Sequence, residues 1–529
     1  MSEDLHLPVA DPWQPTIVAF FCNWCTYTAS DLAGTARMSY APNTRVIRVM
    51  CSGRIDAQFI LAALRRGADG VLIGGCHPGD CHYREGNYKA LRRFILLKKY
   101  LAQLGVEDER VRLAWIAASE GDRLQKVTNE MVEQVRPLGP FMKTRPPERI
   151  ASAPPAAPGE TPDAATASGS PAPSAPPASP PPAANGKPKV GFYWCASCGG
   201  CEESVVDLAE ALLDVVAQVD FVFFPVAMDF KRSDVEAMAD GEMAVCFVNG
   251  AIRSSEQREM AELLRRKSRA LIAYGSCSYQ GGIPGLANLY EPEALLSRVY
   301  DDNPSTVNPD GARPQERTRM PEGEVHLPTL DPRVRTLDQT VAVDYYIPGC
   351  APPVKLLAGA VEAVLSGDLP PAGSVLAPDM ALCHECPRID SKPQDLHLAR
   401  FYRPQEIEID PETCLLAQGL ACLGPATRGG CDAVCIQANM PCTGCLGPLG
   451  RVADHAGAAI DALASVIQGD DEASIEAAIQ SLPDAAGMFG RYGLPASMLF
   501  AKRDGNGHAP PASDPPRPPA AASAAAGET

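Results

Sequence analysis

The chain has 529 residues, with 47 Lys and Arg against 64 Asp and Glu and a formal net charge of −17 at pH 7. That length allows several domains with sizeable cores, and the acidity argues against a nucleic-acid binder, which needs basic surface to neutralise phosphates. No apolar run approaches the roughly 18 to 20 residues that span a bilayer, and the acidic opening MSEDLHLPVADPWQPT lacks the basic start and apolar stretch of a signal peptide. A cytoplasmic location is expected, where thiols stay reduced and structural disulfides are rare.

From the N-terminus, short apolar runs rich in β-branched residues alternate with helical patterns. IVAFF (17–21), TRVIRVM (44–50), GVLIGG (70–75) and VRLAWIAA (111–118) read as buried strands. AQFILAALRRG (57–67) and NYKALRRFILLKKYLAQLG (87–105) read as helices. Such alternation implies a parallel α/β sheet, here over residues 16–140. Residues 144–186 are dominated by proline and alanine and have almost no large apolar side chains. They cannot offset the entropy of ordering, so a disordered, partly polyproline-like linker is expected, with a similar tail over 503–529.

A second α/β pattern occupies 187–370. KVGFYW (189–194), DFVFFPV (220–226), MAVCFVNG (243–250) and RALIAYGSC (269–277) read as strands, and ESVVDLAEALLDVV (203–216) as one helix. Beyond Pro370 the alternation stops and an irregular cysteine-rich domain (371–452) begins. AGAAIDALASVIQ (456–468) belongs to a last helical segment, 453–490. The expected fold is therefore α/β, with two open parallel-sheet domains, a Pro/Ala linker and an irregular cysteine-rich domain.

The 19 cysteines fall into three groups. Cys22, Cys25, Cys51, Cys76 and Cys81 each follow an apolar strand. Carboxyl ends of parallel strands share one sheet edge, where open α/β folds place ligands. Five thiols on one rim can supply the four ligands of a small cluster, and spacing does not say which is spare. His77 and His82 flank two of them as hydrogen-bonding or replacement ligands, a lesser reading. Cys198, Cys201, Cys277 and Cys350 also follow strands and are flanked by glycines, which let backbone N–H groups approach sulfur. These four would satisfy one 4Fe–4S cluster. Cys246, inside a strand, reads as a buried apolar residue, Cys195 as a non-ligand, and Asp229 as part of a solvated turn.

The last group is Cys383, Cys386, Cys414, Cys422, Cys431, Cys435, Cys442 and Cys445, eight thiolates for two four-ligand sites. Zinc could fill two C-x-x-C pairs, making a zinc-stabilised scaffold the rival reading, but it gives no reason for the other two groups. Three 4Fe–4S clusters and one 2Fe–2S cluster account for all but three of the cysteines. Spacing does not divide the eight between two sites.

Six motifs carry a resemblance: CGGCEES (198–204), GSCSYQGGIPG (275–285), IPGCAPP (347–353), LCHECPR (382–388), CLLAQGLACLGPATRGGC (414–431) and NMPCTGC (439–445). Over 187–450 the chain closely resembles the small subunit of cytoplasmic NiFe hydrogenases, of the methyl-viologen-reducing type of methanogens. Ala351 stands where that family usually has proline, and Thr443 where arginine is common. FFCNWCTYTASDLAG (20–34) and the run from VMCSGRIDAQ to NYKALRR (49–93) resemble the delta subunit of the same hydrogenase, over 16–137.

The resemblance implies a flavodoxin-like second domain. It implies that Cys198, Cys201, Cys277 and Cys350 hold the cluster nearest the NiFe site of a separate large subunit. The eight later cysteines would hold medial and distal 4Fe–4S clusters, and the N-terminal group a 2Fe–2S centre. The chain lacks the paired C-x-x-C motifs that bind NiFe, so no side chain here is expected to cleave hydrogen. The implied partners are that large subunit, on one side, and on the other an acceptor that is heterodisulfide reductase-like, a ferredoxin or a flavoprotein. A hydrogen sensor without net turnover is an alternative. So is a relative of the small quinone-reductase subunit; that protein, however, uses two adjacent cysteines and this chain has none.

Overall fold

The computed structural model describes residues 13–142, 186–469 and 471–503. The Pro/Ala stretches expected as linker and tail lie outside the described residues, apart from Gly186 and Arg503 at their edges.

The first domain runs β1 (Ile17–Cys22), α1 (Thr26–Thr35), β2 (Thr44–Val49), α2 (Ala57–Arg65), β3 (Gly70–Gly75), α3 (Gly86–Gln103), β4 (Val111–Trp115) and α4 (Gly121–Val135). Its four strands are parallel in the order β2-β1-β3-β4. Strand alternation sorts β1 between two faces. Ile17, Ala19 and Phe21 pack with α1 and α4, while Phe20 faces the core formed with α2 and α3. Asp56 starts α2 by accepting the Gln58 N–H at 3.0 Å.

The second domain has β5 (Lys189–Trp194), α5 (Gly200–Val206), α6 (Ala211–Gln218), β6 (Asp220–Phe223), β7 (Met243–Asn249), α7 (Ser255–Lys267), β8 (Ser268–Tyr274), β9 (Tyr345–Ile347), α8 (Val354–Ser366) and β10 (Ser374–Val375) as its main elements. They form a parallel sheet ordered β10-β9-β8-β7-β5-β6. Without the short edge strand β10 this is the 2-1-3-4-5 order of the flavodoxin-like fold. Two expectations need correction. The single helix over 203–216 is two, because Ala209 adopts a left-handed backbone (φ 51°) between α5 and α6. The strand expected to reach residue 226 stops at Phe223, ahead of Pro225, which has no N–H for a ladder.

Residues 376–453 hold little regular structure. They lead into α9 (His455–Ala464), α10 (Glu472–Gln480) and a short helix, Ala485–Phe489. These C-terminal helices pack on α2 and α3 of the first domain. Leu96, Leu97 and Tyr100 share one core with Ile460, Leu463, Ile475, Ile479 and Phe489. Polar contacts line the same seam: Arg92 Nη2 donates to Gly469 O at 2.9 Å, Lys99 Nζ to Ile479 O at 2.9 Å, and Ala486 N to Gln103 Oε1 at 2.6 Å. The two halves of the chain are thus joined by buried apolar surface. Among the described residues no helix is long and apolar enough to cross a membrane.

Candidate iron–sulfur sites

The first group forms where the strand order of the N-terminal sheet reverses, between β1 and β3. Adjacent loops diverge at such a point and leave a crevice. Cys22 ends β1, Cys25 precedes α1, Cys51 follows β2, Cys76 follows β3, and Cys81 lies in the loop before α3. All five thiols meet there. Cys22 and Cys76 Sγ are 3.7 Å apart, Cys25 and Cys76 2.6 Å, and Cys51 and Cys81 3.9 Å. The Cys76 contact holds the Cys22 thiol down to about 6, against burial, helped by the N–H groups of Trp24, Cys25 and Ser52. The same contact pushes Cys76 far up. Burial raises Cys25, and raises Cys51 to about 11.

A Cβ at Gly86 would stand 2.1 Å from Cys51 Sγ and 3.1 Å from Cys81 Sγ, so only glycine lets the first turn of α3 pass beneath these sulfurs. The two histidines are engaged elsewhere. His77 Nε2 is 2.8 Å from Glu120 Oε2, and the His82 ring stacks on Trp24 at 3.9 Å.

The second group gathers at the carboxyl end of the flavodoxin-like sheet. Cys198 and Cys201 follow β5, Cys277 follows β8 in a short helix (Ser276–Gln280), and Cys350 follows β9. Burial pushes Cys201 well up, with repulsion from Cys277, Cys350 and Cys198 adding to it. Cys277 rises to about 12 for the same reasons. Glycines crowd the sulfurs. A Cβ on Gly275 would sit 2.4 Å from Cys201 Sγ, and one on Gly282 2.3 Å from Cys277 Sγ. Cys198 and Cys350 are exposed. Cys195 and Cys246 instead lie in a separate core cluster from Cys201, both buried, Cys246 within β7. Asp229 is exposed in a turn after β6.

Tertiary contact sorts the eight remaining cysteines. Cys383, raised to about 11 chiefly by burial, also feels Cys422, Cys386 and Cys414. A Cβ on Gly424 would lie 3.5 Å from Cys383 Sγ and 3.6 Å from Cys422 Sγ. Cys445, raised to about 12 by burial, feels Cys431, Cys350 and Cys435. Burial lifts Cys442 well above the ordinary thiol range, and it feels Cys422 first and then Cys445. These contacts group Cys383, Cys386, Cys414 and Cys422 on one side and Cys431, Cys435 and Cys445 on the other, with Cys442 between them.

Links run between sets. The Cys350 N–H donates to Cys445 sulfur, and the Ser276 hydroxyl donates to Cys445 O at 2.5 Å. The Cys442 N–H donates to Cys422 sulfur, and Leu423 N donates to Cys442 O at 2.9 Å.

Sequence spacing gave no sign of several supporting residues. Glu385, inside C-x-x-C, accepts the N–H groups of Gly430 and Cys431 at 2.9 Å and so shapes the other set's loop. Buried Arg388 donates to Ile436 O at 2.8 Å and Asn439 Oδ1 at 2.6 Å. Tyr492, outside every motif, approaches Thr443 (hydroxyls 3.3 Å apart), and its carbonyl accepts the Gly282 N–H at 3.0 Å. The only sequence cue to Glu385 was its place between two cysteines.

The donor sets fit iron–sulfur clusters. Burial is the chief cause that raises most of the thiols whose acidity departs from the ordinary value, so they resist ionising alone, a cost that bound iron offsets, and glycine backbone makes the room. Two α/β domains with thiols at strand ends, plus an irregular eight-cysteine segment, have the donor sets of an iron–sulfur protein. Family models agree: residues 17–139 match "Methyl-viologen-reducing hydrogenase, delta subunit" and residues 198–364 match "NADH ubiquinone oxidoreductase, 20 Kd subunit". The second half is 37% identical over 318 residues to the G-type iron–sulfur polypeptide of the F420-non-reducing hydrogenase of Archaeoglobus profundus, covering 59% of this chain and 98% of that protein. The first half is 58% identical over 133 residues to the D-type iron–sulfur polypeptide of the same organism's enzyme, covering 25% of this chain and 97% of that protein. It is also 47% identical over 127 residues to the A-type polypeptide of a CoB-CoM heterodisulfide reductase of Methanosarcina acetivorans, covering 24% of this chain but only 16% of that larger protein. The chain belongs to the family of F420-non-reducing hydrogenase iron–sulfur subunits, as a fusion of the D and G types.

Proposed function

We propose that this chain carries electrons between an external acceptor and the NiFe site of a partner large subunit. Cys198, Cys201, Cys277 and Cys350 would hold a 4Fe–4S cluster facing the large subunit. Cys431, Cys435, Cys442 and Cys445 would hold the next, and Cys383, Cys386, Cys414 and Cys422 the third. The N-terminal thiols would hold a 2Fe–2S centre. Two thiolates on one tetrahedral iron stand about 3.8 Å apart, given bonds near about 2.3 Å such as zinc makes to sulfur. The spacings of Cys22 with Cys76 and Cys51 with Cys81 match this, which leaves Cys25 as the spare. Such clusters supply one-electron uptake and release, tuned by hydrogen bonds to sulfur and by burial.

The protein's own part is to bury the thiols, direct backbone N–H groups at sulfur and hold the four sites at fixed spacing. The observation that carries the reading is the pair of direct links, Cys350 N–H to Cys445 and Cys442 N–H to Cys422, which put the three later sets in contact. The domains read as 16–140, 187–370, 371–452 and 453–490. The kinship of the first half with a heterodisulfide reductase polypeptide favours an acceptor of that kind over a ferredoxin or flavoprotein, in the cytoplasm.

The test is anaerobic purification of the full chain with iron, sulfide and zinc analysis and electron paramagnetic resonance. Iron and sulfide in the ratio of three cubanes to one two-iron centre support the reading. Zinc with little sulfide would replace it with a structural scaffold.

A further inference from the structure

A carboxylate from the second half of the chain reaches the loop that holds the N-terminal centre. Asp461, on α9, stands 3.2 Å from Arg93 Nε on α3, and both side chains are largely buried, at 16% and 23% exposure. The two oxygens of Asp461 accept the Ala57 N–H at the start of α2, at 3.2 and 3.3 Å. Arg93 Nη1 in turn donates to Gly53 O at 2.5 Å and reaches Ile55 O at 3.4 Å. The Gly53 N–H donates to Cys51 sulfur. A Cβ on Gly53 would lie 2.8 Å from the Gly86 backbone, so the loop is wedged against α3 and has little slack. A continuous path therefore runs from the Asp461 carboxyl through Arg93 and Gly53 to a sulfur of the first site.

The geometry points to Asp461 as a positioning residue that couples proton uptake to reduction of the N-terminal two-iron centre. The inference rests on the reading of Cys51 as a ligand of that centre. One electron from the preceding carrier adds negative charge on the Cys51 side, and one proton from solvent bonds to an Asp461 oxygen. No other bond forms or breaks. Charge added at one end of this path raises the proton affinity at the other, since buried groups are poorly screened. The groups facing Asp461 set its readiness. Burial pushes its carboxyl up to about 7, Arg93 opposes this, and Asp56 at the head of α2 reinforces it. It is therefore poised to take a proton near neutral pH.

The experiment follows the midpoint potential of the two-iron centre against pH, by resonance-monitored titration of the anaerobic full chain. In the unsubstituted protein the reduction equilibrium should shift by up to tenfold per pH unit across neutrality, about 59 mV for one electron. Asp461→Asn should flatten that slope, and Asp461→Glu should restore it in part. An equal slope in Asp461→Asn overturns the inference. Should Asp461→Asn lose the centre, Arg93→Gln carries the test. Removing the opposing cation should move the bend to higher pH, and an unmoved bend overturns the inference. Absence of any two-iron signal from the unsubstituted chain would instead overturn the proposed function.

Discussion

Gly282 shows how one residue can decide a site. Its φ of 56° is left-handed, and a Cβ there would stand 2.3 Å from Cys277 Sγ. Gly282→Ala should cost about 1–3 kcal/mol in overpacking and strain, and should remove one cubane resonance while sparing the two-iron signal. Loss of neither signal would contradict the placement of Cys277 in the site. His455 carries a different prediction. It is half-buried against Gly444 and Thr427, and desolvation there lowers it from 6.5 to about 4, so it is neutral in the fold. A depressed folded value gives a contribution fully present above the unfolded 6.5 and lost as pH falls through about 4. Asp461 has the opposite sign, its raised value favouring the fold at low pH. Wild type is therefore best compared with His455→Gln, and the stability difference between them should change between pH 6.5 and 4 by thermal melting. A pH-independent difference would contradict it.

At the scale of elements, the seam between α3 and the C-terminal helices makes the fusion more than a tether. Leu96, Leu97 and Tyr100 are fully buried at it. Cutting the chain between residues 142 and 186 should therefore leave both halves associated on gel filtration. Leu97→Ala removes packing worth about 2–5 kcal/mol, and with the cut should let the first domain dissociate. Most of these elements were legible in the sequence. β3 reads as a strand because GVLIGG is apolar throughout, and it is buried at every position. α3 reads as a helix from its spaced leucines. The break at Ala209 was not legible, because 203–216 keeps a helical apolar pattern on both sides of the turn and no glycine or proline marks it.

For the whole molecule, the contacts order the sites as the Cys198 set, the Cys431 set, the Cys383 set and then, across α9, the Cys51 loop. Cys442 sits where the second and third sets meet, so Cys442→Ala should block electron delivery to the N-terminal centre while the Cys198 set still takes electrons from a reduced large subunit. Rapid-freeze resonance would follow this, and unchanged filling of the N-terminal centre would contradict the order. The sequence by itself determined the α/β class, the presence of thiols at strand ends and the family, because apolar periodicity and short motifs are local properties of the chain. Only the tertiary structure grouped seven of the eight later cysteines with Cys442 between the groups, gathered the five N-terminal thiols at one crevice, and brought Asp461 to a loop hundreds of residues earlier. Those facts depend on which distant segments share a core, and burial decides that over the whole chain at once.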